Sequence, residues 1–152
     1  AADINVYRLG ILRENLARLN LASSVLACDA LSLPFAGTFD HVVVDAPCTG
    51  LGTISRHPEI RWHRQLDDIF RMSHLQTQIL NSACQLVRQG GTLIYSTCTI
   101  EPDENEEVVQ KFLAEHPAFR IDDTPGSVAK LSIKPGLDGT DGAFGVRIRK
   151  TE

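Results

Sequence analysis

Apolar positions along the chain recur with a helical period in three segments. Over residues 4–19, leucines are spaced three or four residues apart with charged residues between them, which predicts an amphipathic helix. The same spacing over 66–87 predicts a second helix, ended by Gly90 and Gly91, and 101–117 predicts a third with a proline near each end. The core-facing side of the second helix is expected to carry Leu66, Ile69, Phe70, Leu75, Ile79, Leu80, Ala83 and Leu86.

Strands are predicted between these helices. Short, nearly continuous apolar runs indicate strands over 24–30, 42–44 and 92–96, and the alternating apolar and basic residues of 143–150 indicate a final, half-exposed strand. Apolar strands separated by helices are typical of a parallel sheet that is covered on both faces. The sequence therefore predicts an α/β fold with a doubly wound sheet.

Composition limits the class of protein. The 152 residues are 43% hydrophobic and 22% charged, which suits one globular domain. The apolar runs are too short to span a membrane and the N-terminus lacks the layout of a signal peptide, so we expect a cytoplasmic protein with no membrane partner. The formal net charge of −4 argues against binding nucleic acid by bulk electrostatics and leaves only a local basic patch for that role.

The four cysteines suggest chemistry at the strand ends. They form no C-x-x-C pair and no histidines cluster near them, so we expect reduced thiols and no metal site. Cys84 lies in a helical pattern, where a buried inert thiol is expected, but Cys48 and Cys98 each follow a predicted strand. Ligand crevices of open parallel sheets lie beyond the carboxyl ends of the strands, so the two thiols face one crevice if their strands are neighbours.

Several uses of such thiols remain open at this point. A strand-end cysteine can be a small core residue, and a thiolate can also serve a redox protein or a cysteine hydrolase. A hydrolase pairs its thiol with a histidine base, and none of the five histidines has a recognisable spacing to either cysteine. The acid-Ala-Pro-Cys order instead suggests that the thiol adds to a polar heterocycle that the carboxyl group contacts.

Five segments carry a family resemblance. They are "AADINVYRLGILRENLARLNL", "CDA", "DAPCTGLGTISRHPEIRW", "LVRQGGTLIYSTCTIEPDENEEVV" and "DGTDGAFGVRIRK". With them the chain resembles the Nol1/Nop2/Sun (RsmB-like) family of RNA cytosine-5 methyltransferases. The resemblance implies a Rossmann-like methyltransferase sheet, mostly parallel with an antiparallel last strand, and S-adenosyl-L-methionine as the methyl donor. It also implies an RNA partner, ribosomal rather than transfer RNA because the motif wording is closest to the bacterial small-subunit enzymes.

The resemblance also implies roles for the two cysteines. Cys98 would be the catalytic nucleophile that adds to carbon 6 of a cytosine, so that carbon 5 accepts the methyl group. Cys48 would assist release of the methylated product. Strand-end position alone does not say which thiol attacks, and in DNA cytosine-5 methyltransferases the nucleophile follows a proline, which would favour Cys48.

Three acids are implied as binding residues. Asp3 resembles the acid that holds the ribose hydroxyls of the donor, Asp29 the residue near its adenine, and Asp45 the residue near both the base and the donor. Each has a structural alternative, because Asp3 and Asp29 could cap the elements that follow them and Asp45 could cap a strand end.

The segment 56–64, "RHPEIRWHR", combines arginines and histidines with one tryptophan. Guanidinium groups and aromatic planes are what single-stranded RNA recognition uses for phosphate contact and base stacking. The alternative is that Trp62 covers the core and that the arginines are merely solvated.

The resemblance implies that residues 1–152 are part of a catalytic domain. The family's first strand, its glycine-rich donor-binding loop and an RNA-binding region are expected N-terminal to Ala1, and we expect these residues alone to be inactive. Two other functions remain open, a non-catalytic RNA-binding module with a degenerate methyltransferase fold and a DNA cytosine-5 methyltransferase.

Overall fold

The computed structural model describes residues 1–151, which divide into two compact units, Ala1–Ala36 and a second unit that begins at Gly37. The first unit contains strand β1 (Ala2–Asp3), helix α1 (Val6–Arg18) and strand β2 (Leu26–Ala27), and its two strands pair in parallel. The predicted first helix and the strand after it are both present, the strand in a shorter form.

Helix α1 begins at a polar cap. The Asn5 side chain accepts hydrogen bonds from the backbone amides of Tyr7 and Arg8, at 3.0 and 3.2 Å. These are donors that have no partner within a first helical turn, so the cap stabilises the helix start. Leu9 is buried, while Leu19, at the C-cap, is exposed.

The second unit holds a five-stranded sheet. Its strands are β3 (Phe39–Asp45), β4 (Val87–Thr97), β5 (Phe119–Ile121), β6 (Lys130–Ile133) and β7 (Ala143–Lys150). The order is β3-β4-β7-β5, and β6 pairs with the same edge of β7 as β5 does. β3 and β4 are parallel, and β7 is antiparallel to β4, β5 and β6. The predicted α/β fold, mostly parallel with an antiparallel last strand, is confirmed.

The helices of this unit lie between the strands. They are α2 (Ile60–His63), α3 (Leu66–Ala83) and α4 (Glu106–Glu115), with short 3₁₀ turns at Leu51–Thr53, Cys84–Leu86 and Pro102–Glu104. Leu80, Phe112, Leu93 and Ile148 are fully buried, so α3 and α4 cover the sheet with apolar side chains. α2 lies in the segment 56–64, for which the sequence analysis predicts no helix.

Two expectations for the second helix are wrong. α3 ends at Ala83, and Gly90 and Gly91 lie inside β4 instead of ending the helix. The buried Val87 pairs with Phe39 and starts the strand early, and the register then shifts before Thr92 pairs with His41.

Leu66 and Phe70 are not core residues, contrary to the helical pattern. They are 75% and 65% exposed, while Ile79 and Leu80 of the same helix are buried. Both side chains therefore face solvent although Asp68 between them is buried, and an apolar period cannot indicate which of its positions pack against the sheet.

The last strand lies inside the sheet. Phe144, Val146 and Ile148 of β7 are buried, and the residues between them are half-exposed, as the alternation predicts. β7 has neighbours on both edges, however, and one of them is β6, a strand that the sequence analysis does not predict. Lys130 and Leu131 of β6 face solvent, so the strand lacks a clear apolar alternation.

Candidate active site

The two strand-end cysteines follow β3 and β4, which are neighbours in the sheet. Their parallel register pairs Asp45, the last residue of β3, with Ser96 near the end of β4. The Ser96 hydroxyl donates to the Asp45 carboxylate at 3.1 Å, and the Ala46 amide donates to the Ser96 carbonyl at 2.8 Å. Because parallel neighbours end at the same edge of a sheet, the segments that carry Cys48 and Cys98 begin side by side.

The sulfur atoms of Cys48 and Cys98 lie 3.3 Å apart, within hydrogen-bonding distance. Cys98 is exposed and Cys48 is half-buried. Two thiols at this separation ionise as a pair, because the thiol that keeps its proton can donate it to the thiolate. The structure thus brings together the two cysteines that the sequence analysis expects to face one crevice.

This contact moves the two pKa values in opposite directions. The hydrogen bond from the Cys48 thiol lowers the pKa of Cys98 to about 7, against the opposing effects of burial and of the negative charges of Asp45 and Glu104. The hydrogen bond with Cys98, together with burial, raises the pKa of Cys48 well above its ordinary value. The arrangement therefore places the thiolate on the more exposed sulfur, that of Cys98.

The loop after Cys48 packs closely against the Cys98 segment. Gly50 has a φ of +76°, a conformation that favours glycine, and the chain then forms the turn Leu51–Thr53. The Gly52 amide donates to the Cys98 carbonyl at 3.0 Å. A Cβ on Gly52 would lie 2.7 Å from that carbonyl oxygen and 2.6 Å from the carbonyl oxygen of Gly142, so the close approach requires a residue without a side chain.

Glu104 is a fully buried acid next to both cysteine segments, and the sequence analysis does not single it out. Its carboxylate accepts from the Thr49 amide and from Gln76 Nε2, both at 2.9 Å, and also from the Thr49 hydroxyl. The Tyr95 hydroxyl donates to its backbone carbonyl at 2.6 Å. A signal is present in the sequence, since Glu104 stands four residues before the core residue Val108, but the acids around it obscure that spacing.

Asp3 and Asp29 lie in the first unit, at the end of β1 and just after β2. The Asp3 carboxylate accepts from the Asn5 amide at 2.7 Å and lies 3.9 Å from the Arg8 guanidinium. The Asp29 carboxylate accepts from the Leu31 amide at 2.9 Å. Both acids thus make local contacts of the capping kind. A carboxylate has about four acceptor positions, so these contacts leave capacity for ligand hydroxyl or amino groups.

The basic segment 56–64 contains two anchored arginines. The Asp141 carboxylate accepts from the Ser55 hydroxyl and forms an ion pair with Arg56. The Ser55 hydrogen bond and, to a smaller extent, the Arg56 contact hold the pKa of Asp141 below its ordinary value. Arg64 donates from Nε to the Thr49 carbonyl at 2.9 Å. These two side chains fix the segment to the rest of the second unit.

Trp62 of α2 is 84% exposed, so it does not cover the core. Arg61 beside it is exposed as well, and Leu66 and Phe70 follow at intervals of four residues with most of their surface in solvent. Exposed aromatic and basic side chains therefore lie on the segment that the Arg64 hydrogen bond to Thr49 joins to the Cys48 loop.

Two further features are absent from residues 1–151. In this part of the chain no group of three or more His, Cys, Asp and Glu side chains could hold a metal ion. None of its helices combines the length and the apolar character needed to cross a membrane.

Comparisons with known proteins give a consistent set of relatives. A family model described as "16S rRNA methyltransferase RsmB/F" matches residues 1–147. The ribosomal RNA small subunit methyltransferase B of Vibrio vulnificus is 39% identical over 147 residues, covering 95% of this chain and 34% of that protein. The protein of the same name from Pectobacterium atrosepticum is 38% identical over 154 residues, covering 99% of this chain and 36% of that protein.

A solved structure is similar over the whole chain. The crystal structure of NSun6 from Pyrococcus horikoshii with SFG has a TM-score of 0.88 at 28% identity, covering 100% of this chain and 41% of that chain. The chain thus spans about a third of the length of the curated relatives it matches.

Proposed function

This chain belongs to the 16S rRNA methyltransferase RsmB/F family, and from that premise we propose that it takes part in methylating carbon 5 of a cytosine in RNA, with S-adenosylmethionine as the methyl donor. The substrate is ribosomal RNA, as the names of the relatives suggest. The setting is the cytoplasm. The activity is that of the full protein, of which residues 1–152 supply the thiol chemistry.

The observation that carries this proposal is the 3.3 Å contact between the Cys48 and Cys98 sulfurs at the ends of two parallel strands. Cytosine carbon 5 is a poor nucleophile until a group adds to carbon 6, and a thiolate is well suited to that addition. The contact with Cys48 favours a thiolate on Cys98 near neutral pH. The second thiol, that of Cys48, supports a reaction in which Cys98 attacks as a thiolate and is stabilised as a thiolate again when it leaves.

In the proposed mechanism the Cys98 thiolate adds to carbon 6, forming a carbon-sulfur bond and moving an electron pair towards carbon 5. When bound, the donor would supply an electrophilic methyl group on its sulfonium, which carbon 5 takes as the methyl-sulfur bond breaks and a neutral thioether leaves. Loss of the carbon 5 proton to water then returns an electron pair to the ring, the carbon-sulfur bond breaks, and Cys98 leaves as a thiolate. Cys48 assists that release, because its thiol stabilises the departing thiolate through the hydrogen bond that the two sulfurs make in the free protein.

Three acids are proposed to bind the reactants. Asp3 accepts from the ribose hydroxyls of the donor and Asp29 from its adenine amino group, a use of carboxylates at strand ends that suits their remaining acceptor positions. Asp45, which is exposed and oriented by Ser96, contacts the base and the donor. Affinity for the donor measured by calorimetry should fall in Asp3→Ala, and an unchanged affinity would remove Asp3 from this role.

The test of the thiol assignment is covalent trapping on RNA that contains 5-fluorocytosine. Fluorine at carbon 5 replaces the proton whose loss frees the enzyme, so the adduct persists. Cys98→Ala should abolish both trapping and methyl transfer. Cys48→Ala should still form an adduct on ordinary RNA and release it slowly, seen as a stalled protein-RNA complex on a denaturing gel.

The opposite pattern, with trapping lost only in Cys48→Ala, would assign the attack to Cys48. Three other functions are further outcomes of the same assay. Trapping on DNA in preference to RNA indicates a DNA methyltransferase, and RNA binding without trapping indicates a non-catalytic module. Labelling of Cys98 by a thiol probe, independent of RNA and donor and without methyl transfer, indicates a redox protein or hydrolase.

A further inference from the structure

Glu104 connects the two cysteine segments from the protein interior. Its side chain is fully buried, and its three hydrogen bonds come from the amide and the hydroxyl of Thr49 and from Gln76 Nε2. Thr49 is the residue after Cys48. Gln76 Nε2 also donates to the carbonyl of Pro47, at 2.8 Å, so the carboxylate holds the Cys48 loop on both sides of the cysteine.

The same carboxylate reaches the Cys98 segment through one more hydroxyl. The hydroxyl oxygens of Thr49 and Thr99 lie 3.0 Å apart, and Thr99 is the residue after Cys98. Because the Thr49 hydroxyl donates its proton to Glu104, it can only accept from the Thr99 hydroxyl. Glu104 therefore sets the direction of the hydrogen bonds that join the two cysteine segments.

We propose that Glu104 is a positioning residue, which holds the Cys48 and Cys98 sulfurs at the separation at which they share a proton. The inference rests on the proposed function in that Cys98 is taken as the attacking thiol. Glu104 touches neither sulfur and is not exposed to substrate, so it acts only through Thr49, Gln76 and Thr99.

The proposal requires a carboxylate and not merely a polar side chain of that size. All three groups that face the carboxylate oxygens are donors. Glu104→Gln keeps the volume but replaces one acceptor by an amide donor. The new amide either faces the two N–H donors or turns the Thr49 hydroxyl from a donor into an acceptor, and each outcome breaks or reverses a hydrogen bond that joins the cysteine segments. The Cys48 loop would then shift, and the sulfurs would separate.

The charge of Glu104 and its positioning act on Cys98 in opposite directions. The ionisable groups near the Cys98 sulfur are Cys48, Asp45 and Glu104, and the negative charges of the two acids raise its pKa. Removing the charge by Glu104→Gln would lower the pKa of Cys98, whereas losing the hydrogen bond from Cys48 would raise it. The hydrogen bond is the largest of these effects and Glu104's charge the smallest, so positioning predicts a net rise.

The experiment is the pH profile of Cys98 alkylation by iodoacetamide in the full protein, with peptide mass spectrometry resolving Cys98 from the other cysteines. In Glu104→Gln the midpoint should move from about 7 towards the ordinary thiol value of about 8.5, and the rate at pH 7 should fall roughly tenfold. The kcat of methyl transfer should fall while the KM for RNA stays within about twofold, since Glu104 is buried. A midpoint that stays or moves down would overturn the proposal.

A matched pair at Thr49 tests the same hydrogen bonds without changing the buried acid. Thr49→Val removes the hydroxyl at nearly constant volume and should raise the Cys98 midpoint, whereas Thr49→Ser keeps the hydroxyl and should keep the midpoint. This pair decides the question if Glu104→Gln fails to fold, as judged by circular dichroism. Equal midpoints for the two Thr49 variants would contradict the proposal.

Failure of this inference is distinct from failure of the proposed function. The alkylation profile needs neither RNA nor methyl donor. If the parent protein methylates no cytosine while Glu104→Gln still shifts the midpoint, the positioning role stands and the proposed reaction is wrong.

Discussion

At the scale of single residues, the proposed chemistry depends on two sulfur atoms in contact. A lone exposed thiol ionises only partly at neutral pH. The thiol of Cys48 donates a hydrogen bond to Cys98 and lowers its pKa. The same contact raises the pKa of Cys48. In the proposed reaction, Cys48 thus favours the thiolate of Cys98 while its own ionisation is suppressed.

The pH dependence of Cys98 follows from this contact. The thiolate is the reactive form, so alkylation of Cys98 should rise with pH through about 7 and then level off. In Cys48→Ala the hydrogen bond is lost, and the rise should move up by about one pH unit towards the ordinary thiol value. Alkylation followed by mass spectrometry measures both profiles. Superimposable curves would mean that Cys48 does not stabilise the thiolate.

At the scale of elements, the site depends on how closely loops approach one another. Gly52 lies between the carbonyls of Cys98 and Gly142, which both follow it in the sequence but belong to two different segments of the second unit. The backbone contacts Gly52 N to Cys98 O and Gly142 N to Gly52 O, at 3.0 and 2.7 Å, join the Cys48 loop, the Cys98 loop and the start of β7. Through these two hydrogen bonds, three segments that are distant in the sequence meet at one edge of the sheet.

Gly52→Ala should therefore destabilise the protein and slow the reaction. Its Cβ would meet two backbone carbonyls at less than 3 Å, and such overpacking costs about 1–3 kcal/mol. Gly10→Ala is the control, since Gly10 lies inside α1 and a Cβ there meets nothing within 4 Å. Alanine at that position should stabilise by roughly 0.5–1 kcal/mol because it favours the helix. Urea unfolding compares the two, and an equal effect of both would contradict the packing argument.

A second element-scale contact fixes the last strand. Asp122 is buried just after β5 and lies 3.0 Å from Arg147 Nε and 3.1 Å from Arg149 Nη2, both in β7. The Thr124 hydroxyl, together with these arginines, lowers the pKa of Asp122 to about 2, although burial opposes the shift. The ion pairs hold β5 and the end of β7 together.

The sign of the pH effect at Asp122 follows from its lowered pKa. A carboxyl that is more acidic in the folded protein contributes stability above its unfolded pKa of about 3.9 and loses it as the pH falls towards the folded value of about 2. Asp122→Asn should cost about 2 kcal/mol at pH 7, the scale of hydrogen bonds to charged groups. Unfolding measured at pH 7 and pH 3 should show a smaller loss on acidification in the variant than in the parent.

At the scale of the whole molecule, the net charge disfavours RNA binding, and only a local basic patch favours it. The net charge of −4 repels phosphates at long range. Arg61 and Trp62 are exposed on the segment that Arg64 ties to the Cys48 loop. A cation and an aromatic plane beside the Cys48 loop suit binding of a single-stranded RNA whose target base, in the proposed reaction, reaches the two thiols.

Binding of RNA by the full protein should depend on this patch in a salt-sensitive way. Arg61→Ala should lower the slope of log K against log salt by about 0.7, the value for one phosphate contact on a single strand. Trp62→Ala should weaken binding by about 1–3 kcal/mol with little change in slope. Arg88→Ala is the control, because Arg88 lies at the other end of β4 and pairs with Asp40. Fluorescence anisotropy at several salt concentrations measures all three, and a parental slope in Arg61→Ala would exclude a phosphate contact there.

The sequence by itself determined the α/β class, the three main helices and the strands that lead to Cys48 and Cys98, because periodicity and strand-end residues are local properties. It also placed two thiols after two strands, but their contact depended on β3 and β4 being neighbours in a parallel register, which pairs Asp45 with Ser96. Only the tertiary structure decided the 3.3 Å separation of the sulfurs. It also decided the burial of Glu104 and the exposure of Trp62 and Phe70. The physical reason is that hydrogen-bond direction, proton sharing and burial depend on groups far apart in sequence, which no local pattern of polar and apolar residues encodes.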